Sequence, residues 1–186
     1  MPKVSEEHRI ARRRQILDAA ARCFARDGFH RTSMQDIVRE SGISAGLVYR
    51  YFEGKDDMIA AIVAEWQDRR EVVLAEPAYL DLLRAVGDPA NRERMRLGVQ
   101  IWAEAVRSPR IAEVARRTID EPRAAVAGLF PTNGDGFARV LIALYQGLQL
   151  QTAWDEHVDH AAYVEAVQVL LRSLSITSGD GQPSTR

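Results

Sequence analysis

The chain has one cysteine, Cys23, in 186 residues. A single cysteine cannot form an internal disulfide, which excludes a disulfide-stabilised secreted scaffold, and we expect Cys23 to be a buried packing residue. No run approaches the ~18 consecutive apolar residues of a transmembrane helix. The first residues, MPKVSEEHRIARRR, have no apolar segment of the kind found in signal peptides. We therefore expect a cytoplasmic protein that does not contact a membrane.

The motifs of common enzyme classes are also missing. The chain has only four histidines. His157 and His160 flank Asp159 near a turn between helices, but this segment offers no third metal ligand. There is no glycine-rich phosphate loop, no nucleophile elbow and no pairing of histidine with cysteine. We expect no enzyme activity, no catalytic residues, no metal site and no cofactor.

The alternation of apolar and polar residues that indicates β-strands is absent, whereas apolar residues recur at helical spacing. Helices are predicted at residues 6–26, 33–41, 45–51, 55–76, 78–86 and 91–107, from 109 onward, at 136–155 and at 160–175. Pro77 is expected to break the fourth helix, and Pro122 to kink or divide the one that starts at 109. The predicted fold class is all-α: a three-helix N-terminal unit and a larger helical body, with about nine or ten helices in total.

The chain as a whole has little excess of either charge sign, with a formal net charge of −1. Residues 1–55 hold 11 Lys and Arg against 7 Asp and Glu, whereas residues 56–186 hold 14 against 19. The resulting net charges, +4 and −5, suit a basic head that binds DNA phosphates and an acidic body that DNA repels. Chance is the alternative explanation, since many globular proteins show differences of this size.

The most informative segment is residues 31–56, RTSMQDIVRESGISAGLVYRYFEGKD. Two short helical segments flank Gly42, at the place where a helix-turn-helix needs a residue that tolerates positive φ. Ser33 and Ser44 each precede one of these helices and are expected to cap it. The second helix is too polar and too rich in tyrosine on one side to be buried all round. DNA is the leading candidate for its partner.

This segment resembles the DNA-binding signature of the TetR (tetracycline-repressor) family of bacterial regulators. The matching residues are Thr32, Ile37, Gly42, Ser44, Gly46, Tyr49, Tyr51, Phe52 and Lys55. The preceding helix, RRRQILDAAARCFARDGFHRTSM, is similar to that family's first helix, so the resemblance covers about residues 9–60. It implies a helix-turn-helix DNA-binding domain at 1–54 and a ligand-binding and dimerisation domain at 55–176. Residues 177–186 are polar and are expected to form a flexible tail.

The resemblance and the side-chain chemistry together select candidate DNA contacts. The predicted set is Thr32, Ser33, Ser44, Ala45, Gly46, Leu47, Tyr49, Arg50, Tyr51 and Lys55. Hydroxyl groups, lysine and a helix N-terminus suit phosphate oxygens, whereas small residues let the backbone approach base edges. Ala45 and Leu47 depart from the family, which often has polar or basic residues there, and this shifts readout toward DNA shape or Arg50. One of Tyr49 and Tyr51 is alternatively a packing residue.

Two helices near the C-terminus, 136–155 and 160–175, carry more apolar surface than one neighbouring helix can cover. In the family that the chain resembles, the last two long helices form a four-helix interface with the partner chain. We therefore expect a homodimer through these two helices, with Gly147 allowing close approach. A monomeric core built from the same side chains is the alternative.

The resemblance also implies a small-molecule pocket in the body. Pockets are mainly apolar and aromatic with a few orienting polar groups. On that basis the candidates for ligand contact are Trp66, Gln67, Trp102, Tyr145 and Gln149, and each aromatic residue is alternatively part of the core. The acidic surplus of the body suits a cationic ligand, but it also serves solubility.

Two functions follow from these observations. The first is a ligand-responsive transcriptional regulator, a repressor that binds double-stranded DNA at a palindromic operator as a homodimer. A small, largely hydrophobic molecule would release it. The alternative is a helical sensor or protein-interaction module with only weak, non-specific DNA contact. Ala45 and Leu47 favour the alternative, whereas Tyr49, Tyr51 and Lys55 at the family's spacing favour the regulator.

Overall fold

The computed structural model describes residues 6–68, 76–130 and 132–177, and for residues 66–68, 76 and 174–177 it describes the backbone only. Within these ranges the chain forms nine α-helices and a short 3₁₀ helix, Pro89–Asn91. The α-helices are α1 (Glu6–Asp27), α2 (Met34–Ser41), α3 (Ala45–Tyr51), α4 (Lys55–Asp68), α5 (Glu76–Val86), α6 (Arg92–Ala105), α7 (Pro109–Ala127), α8 (Gly134–Trp154) and α9 (His160–Thr177). The all-α prediction is confirmed.

Two prolines lie inside described helices. Pro77 is the second residue of α5, and the predicted break of the fourth helix at Pro77 stays a prediction. Pro122 lies inside α7, which continues as one helix, so Pro122 does not divide it, and a kink at Pro122 stays a prediction. The end of predicted helix 55–76 falls on residues 69–75, which lie outside the described residues, as does the predicted tail from 178 onward.

Side-chain caps fix where several helices begin. Ser33 Oγ accepts a hydrogen bond from the Asp36 N–H at 3.1 Å, which confirms the predicted cap of α2. Ser108 Oγ accepts one from the Ile111 N–H at 3.4 Å at the start of α7. Asp159 Oδ1 accepts a backbone N–H in the first turn of α9. Each cap satisfies a donor that has no partner within its own helix.

The buried apolar side chains form two clusters. The first joins α1 to α4 with α6 and α7, and it includes Ile16, Leu17, Cys23, Phe24, Ile37, Val48, Phe52, Met58, Ile59, Leu97, Ile101 and Ile111. The second joins α5, α8 and α9 with the start of α6, and it consists of Leu80, Leu83, Val86, Met95, Leu148, Val164 and Val167. The first cluster crosses the boundary predicted between residues 54 and 55. The limits of the domains stay a prediction.

α6 connects the two clusters. Its Met95 packs in the second cluster, whereas Leu97 and Ile101 pack in the first. Gly98 lies directly against the side chain of Gln149 on α8, and a Cβ at that position would collide with the Gln149 amide. α6 is therefore packed tightly against α8 as well as against the N-terminal helices.

Two tyrosine hydroxyls attach neighbouring helices to α8. The Tyr79 hydroxyl donates to the Leu141 carbonyl at 2.7 Å, and the Tyr163 hydroxyl donates to the Leu144 carbonyl at 2.8 Å. Burial raises the pKa of both tyrosines. Both hydroxyls are therefore protonated at neutral pH and can donate these hydrogen bonds.

Candidate DNA-binding surface and effector site

Buried side chains, the turn at Gly42 and a hydrogen bond from α1 hold α2 and α3 in a helix-turn-helix. Ile37 of α2 and Val48 of α3 are fully buried in the first cluster. Gly42 joins the two helices with a φ of +66°, the left-handed conformation that the turn requires. The Gln15 side chain of α1 donates to the Ser41 carbonyl at 2.8 Å and so fastens the end of α2. The orientation of α3 is thus set by the core and by α1.

The start of α2 differs from the prediction at Thr32. This residue is 2% exposed, and its hydroxyl lies 2.8 Å from the Gly28 carbonyl and 3.2 Å from the Cys23 carbonyl, to which it donates. The expectation of a phosphate contact from the Thr32 hydroxyl is corrected, because that group is buried and bonded to the backbone. Its role is to fix the loop between α1 and α2.

Ser33 and Asp36 form a reciprocal capping box at the same helix end. Asp36 Oδ2 accepts hydrogen bonds from the Ser33 hydroxyl at 2.6 Å and from the Ser33 N–H at 2.9 Å. The hydrogen bond from the Ser33 hydroxyl has the largest effect in lowering the pKa of Asp36, followed by the Ser33 N–H and the neighbouring Arg39 guanidinium. A carboxylate therefore already occupies the N-terminus of α2, and a DNA phosphate would have to share that end with it.

One face of α3 is open to solvent. Ser44, Ala45, Gly46, Tyr49 and Arg50 are all exposed, and Tyr49 is 54% exposed although it is a large aromatic residue. Within the described residues nothing lies within 4 Å of a Cβ placed on Gly46. The predicted cap from Ser44 is wrong, because its hydroxyl makes no capping hydrogen bond. The surface thus combines the Ser44 hydroxyl, the backbone at Ala45 and Gly46 with almost no side chain over it, the Tyr49 phenol and the Arg50 guanidinium.

The opposite side of α3 faces the first cluster. Leu47 and Tyr51 are half-buried and pack against it. Of the two tyrosines, Tyr51 is therefore the one with a packing role, and Tyr49 is the one that extends into solvent. Direct contact of Leu47 or Tyr51 with DNA stays a prediction.

Lys55 opens α4 and already has a partner inside the protein. Its Nζ donates to the Phe29 carbonyl at 2.7 Å and lies 4.5 Å from the centre of the Phe29 ring. A lysine ammonium carries three N–H donors, so this hydrogen bond leaves others for a phosphate. Lys55 therefore combines a structural contact with its predicted DNA contact.

The structure describes the side chains of three candidate ligand contacts. Trp102 and Tyr145 are half-buried, and Tyr145 packs against the second cluster. Gln149 is 4% exposed, and its amide lies between Gly98 and the Met95 sulfur, which is 3.7 Å from Nε2. For Trp66 and Gln67 only the backbone is described. Gln149 thus has a packing role between α6 and α8, and the ligand contacts stay predictions.

α8 carries an apolar stripe on the side away from its buried residues. Val140, Leu150 and Trp154 are 56%, 51% and 71% exposed, and they fall on one face of the helix. Gly147 lies between them, and within the described residues nothing is within 4 Å of a Cβ built there. α9 adds Val169 and Leu170, which are 57% and 54% exposed. The two helices therefore present apolar faces that the described part of the chain leaves uncovered.

The sequence did not single out two polar residues of α6 that contact the DNA-binding unit. Gln100 Oε1 accepts the Phe29 N–H at 3.0 Å, and Glu104 Oε2 lies 3.0 Å from His30 Nε2. Glu104 is only 7% exposed. A signal was present, because Glu104 follows Leu97 and Ile101 on the same helical face and so interrupts an apolar stripe with a carboxylate.

Within the described ranges no three His, Cys, Asp or Glu side chains are grouped closely enough to hold a metal ion. None of the helices searched in that part of the chain is long and apolar enough to cross a bilayer.

Two family models match the chain. The one for bacterial regulatory proteins of the tetR family matches residues 16–62. The one for the C-terminal domain of BetI-type transcriptional repressors matches residues 78–175. The chain belongs to the TetR family. It is thus a DNA-binding transcriptional regulator, in a family of regulators rather than enzymes, and the resemblance found in the sequence is confirmed.

Curated TetR-family relatives agree with this assignment. The HTH-type transcriptional repressor Rv1474c of Mycobacterium tuberculosis is 38% identical in an alignment of 137 residues, and the match covers 66% of this chain and 71% of the relative. The HTH-type transcriptional regulator UidR of Escherichia coli K12 is 31% identical over 112 residues, covering 56% of this chain and 57% of UidR. The match to UidR spans little more than half of either protein.

Solved structures show the same fold over nearly the whole chain. Salmonella enterica GusR superposes with a TM-score of 0.72 at 24% identity and covers 93% of this chain and 98% of its own. A putative regulator from Saccharomonospora viridis in complex with choline gives a TM-score of 0.68 at 21% identity, covering 86% and 95%. At these identities the likeness shows the TetR fold alone.

Proposed function

We propose that this TetR-family regulator is a repressor that binds an inverted-repeat operator as a homodimer and is released by a small, largely hydrophobic effector. The observation that carries the proposal is the open face of α3, where Ser44, Ala45, Gly46, Tyr49 and Arg50 are exposed together. A helix of a helix-turn-helix enters the major groove with its N-terminal residues toward base edges. The names of the Mycobacterium tuberculosis relative and of the matched C-terminal family model, both repressors, support the direction of control.

On this surface the residues would divide into two roles. Tyr49 and Lys55 suit phosphate oxygens, which set the register of the protein on DNA without reading sequence. Arg50 is the exposed α3 side chain with the donors for a bidentate contact to guanine. Ala45 and Gly46 offer no hydrogen-bonding side chain, so they would contribute close approach and apolar contact. Sequence preference would then rest on Arg50 and on DNA shape.

The homodimer would form through α8 and α9. The exposed stripe of Val140, Leu150 and Trp154, with open space at Gly147, suits packing against the same helices of a second chain. Such an interface is isologous, because each chain contributes the same surface. It would place two copies of α3 on one side of the dimer, as an inverted repeat requires.

Release would follow from the distance between the two recognition helices. They must lie about one helical turn of DNA apart, ~34–36 Å or a related spacing, to enter successive major grooves. An effector that binds better to a wrongly spaced dimer lowers operator affinity by that difference in affinity. Because its target is DNA, we propose that the protein acts in the cytoplasm.

Selection of bound duplexes from a random DNA pool tests the DNA-binding part of the proposal. The expected result is an inverted repeat whose half-sites are separated by about one helical turn or a multiple of it. Recovery of duplexes without any common sequence, lost at moderate salt, would contradict the proposal. It would favour a helical sensor or protein-interaction module with weak DNA contact.

Binding of candidate effectors tests the second part. The chain has three tryptophans, of which Trp66 and Trp102 are candidate ligand contacts. Apolar effectors are expected to change the tryptophan emission and to dissociate the operator complex at the same concentrations. Choline, present in the Saccharomonospora viridis structure, belongs in the panel as a cationic comparison. Release by choline but by no apolar compound would contradict a largely hydrophobic effector.

A further inference from the structure

The loop between α1 and α2 is held from two sides by side chains of other helices. Gln100 Oε1 of α6 accepts the Phe29 N–H at 3.0 Å, and Lys55 Nζ of α4 donates to the Phe29 carbonyl at 2.7 Å. The next residue, His30, places Nε2 3.0 Å from Glu104 Oε2 of α6. We call these five residues, Phe29, His30, Lys55, Gln100 and Glu104, the loop joint.

The loop joint is a built contact rather than a chance surface pair. Glu104 is 7% exposed, so its carboxylate has left most of its water, and a buried carboxylate needs a hydrogen-bond donor. The Phe29 ring is 9% exposed, lies 5.3 Å from the Phe24 ring and sits beneath the Lys55 ammonium. Both backbone polar groups of Phe29 and its apolar ring are thereby held by side chains of other helices.

α6 is the helix that joins this point to the rest of the body. Within the described residues it contributes Met95 to the second cluster and Leu97 and Ile101 to the first. Its Gly98 is packed directly against Gln149 of α8. α8, which bears the proposed dimer face, is therefore packed directly against α6, which hydrogen-bonds the α1–α2 loop.

We propose that Gln100 and Glu104 are positioning residues for DNA recognition. They fix the tilt of the DNA-binding unit on the body and so set which half-site spacing the dimer accepts. This inference rests on the proposed homodimeric operator binding. The chemistry of α3 itself is left untouched by either side chain, since both act through the loop 28–31 that precedes α2.

α4 stays anchored to the rest of the body when the loop joint is lost. Asp57 of α4 pairs with Arg110 of α7 at 2.8 Å, and Asp56 lies 3.4 Å from the Ser108 hydroxyl. α1 stays attached to α4 and α6 through the shared apolar core and through the ion pair of Arg13 with Glu65. Loss of the loop joint would therefore loosen the tilt of the DNA-binding unit without releasing it.

The test uses the selected operator and versions with one or two base pairs added or removed between its half-sites. Each inserted base pair turns one half-site by roughly 35° relative to the other, so spacing preference reports the rigidity of the dimer. The spacing ratio is the Kd for an altered spacing divided by the Kd for the optimal spacing. We expect Gln100→Met and Glu104→Leu to lower this ratio by at least about fivefold, the lower end of typical coupling between sites. Both substitutions keep the bulk of the side chain and remove its acceptor.

Three controls separate positioning from ordinary stabilisation. Glu104→Gln keeps an acceptor for His30 and is expected to retain the wild-type spacing ratio. Glu113→Leu removes a carboxylate from the exposed surface of α7 and should also leave it unchanged. Affinity for a duplex with one half-site should stay within about twofold of wild type in every variant, because the α3 surface is intact.

The outcomes are distinguishable. An unchanged spacing ratio in Gln100→Met and Glu104→Leu would overturn the inference while leaving the repressor proposal intact. Equal loss of affinity for one half-site and for the operator would also overturn it, since the residues would then be general stabilisers of the DNA-binding unit. Failure of the wild-type protein to select any inverted repeat would instead overturn the proposed function.

Discussion

At the scale of single residues, the proposed DNA contacts lie on the open face of α3. Tyr49 and Arg50 are its two long polar side chains, and both are exposed. The phenol is neutral, whereas the guanidinium is charged and has five donors. Their contributions to DNA binding should therefore differ in their dependence on salt.

Replacing Tyr49 by Phe should weaken operator binding without altering its salt dependence. A hydrogen bond to a charged phosphate contributes about 1.5–3 kcal/mol, which corresponds to roughly tenfold or more in Kd. The slope of log K against log salt should stay the same, because no charge is lost. Arg50→Gln should instead reduce that slope by about one if Arg50 also neutralises a phosphate. Fluorescence anisotropy at several salt concentrations measures both.

Tyr163→Phe is a suitable control for Tyr49→Phe, because its hydroxyl donates to the Leu144 carbonyl far along the chain from α3. It should lower stability and leave operator affinity unchanged. Equal affinities of Tyr49→Phe and the wild type would show that the Tyr49 hydroxyl does not contact DNA.

The capping box at α2 gives a prediction in pH. The pKa of Asp36 is lowered in the folded state, chiefly by the Ser33 hydroxyl. Its contribution to stability is therefore fully present above the unfolded pKa of about 3.9, and is lost as pH falls through the lower folded value. Asp36→Asn should lower the urea midpoint of unfolding more at pH 7 than at pH 3. An equal loss at both pH values would mean that the charge of Asp36 does not stabilise the helix end.

At the scale of helices, two glycines of the helix-turn-helix should respond to alanine in opposite ways. Gly42 has a φ of +66°, so Gly42→Ala should cost about 1–2 kcal/mol of unfolding free energy. Gly46 is in α3 with no atom of the described residues near a Cβ, so Gly46→Ala should raise stability by about 0.5 kcal/mol.

The same Gly46→Ala substitution should weaken operator binding, because the added methyl group stands between the α3 backbone and the base edges. Thermal unfolding and operator titration on the same samples test both effects. A variant that is more stable and binds the operator as tightly as wild type would place DNA on another surface.

The helices also show how far sequence patterns determine the fold. Apolar periodicity, the residues before each helix and the glycine turn predicted the order of helices, the cap by Ser33 and the left-handed Gly42. The sequence left open whether Pro122 kinks or divides the helix that starts at 109, because the packing that can outweigh one missing hydrogen bond is set by the tertiary structure. The burial of Thr32 was missed because a threonine at a helix N-terminus caps, contacts ligands or packs with equal chemical suitability.

The loop joint marks another limit of the sequence. Gln100 and Glu104 lie 71 and 74 positions from the loop residues that they contact, and neither residue type indicates such a partner. Only the tertiary arrangement brings α6 against the loop. Which aromatic residues line a ligand pocket was equally undetermined, since Tyr145 suits the core as well as it suits a ligand.

At the scale of the whole molecule, the uncovered face of α8 predicts the oligomeric state. Leu150→Glu should convert the protein to a monomer, because a buried unpaired charge costs roughly 3–5 kcal/mol, at least about a hundredfold in the dimer dissociation constant. Val106→Glu is the matched control, since Val106 is an 87% exposed apolar residue that follows α6 and belongs to neither α8 nor α9. Sedimentation velocity distinguishes the two. A dimeric Leu150→Glu variant would place the interface elsewhere.

The basic head and the acidic body have a consequence for orientation on DNA. The net charges of +4 and −5 on residues 1–55 and 56–186 direct the helix-turn-helix toward phosphates and turn α5 to α9 away. With the proposed twofold dimer through α8 and α9, both copies of α3 should lie against one side of the duplex. We then expect an inverted repeat read in two major grooves.

The central claim is that paired α3 helices read the major grooves of an inverted repeat. A methylation-interference footprint on the selected operator tests it most directly, because guanine N7 lies in the major groove. The account predicts two symmetric sets of interfering guanines, centred about one turn of DNA or a multiple apart, both weakened in Arg50→Ala. Interference at a single half-site, or no interference from major-groove methylation, would contradict it.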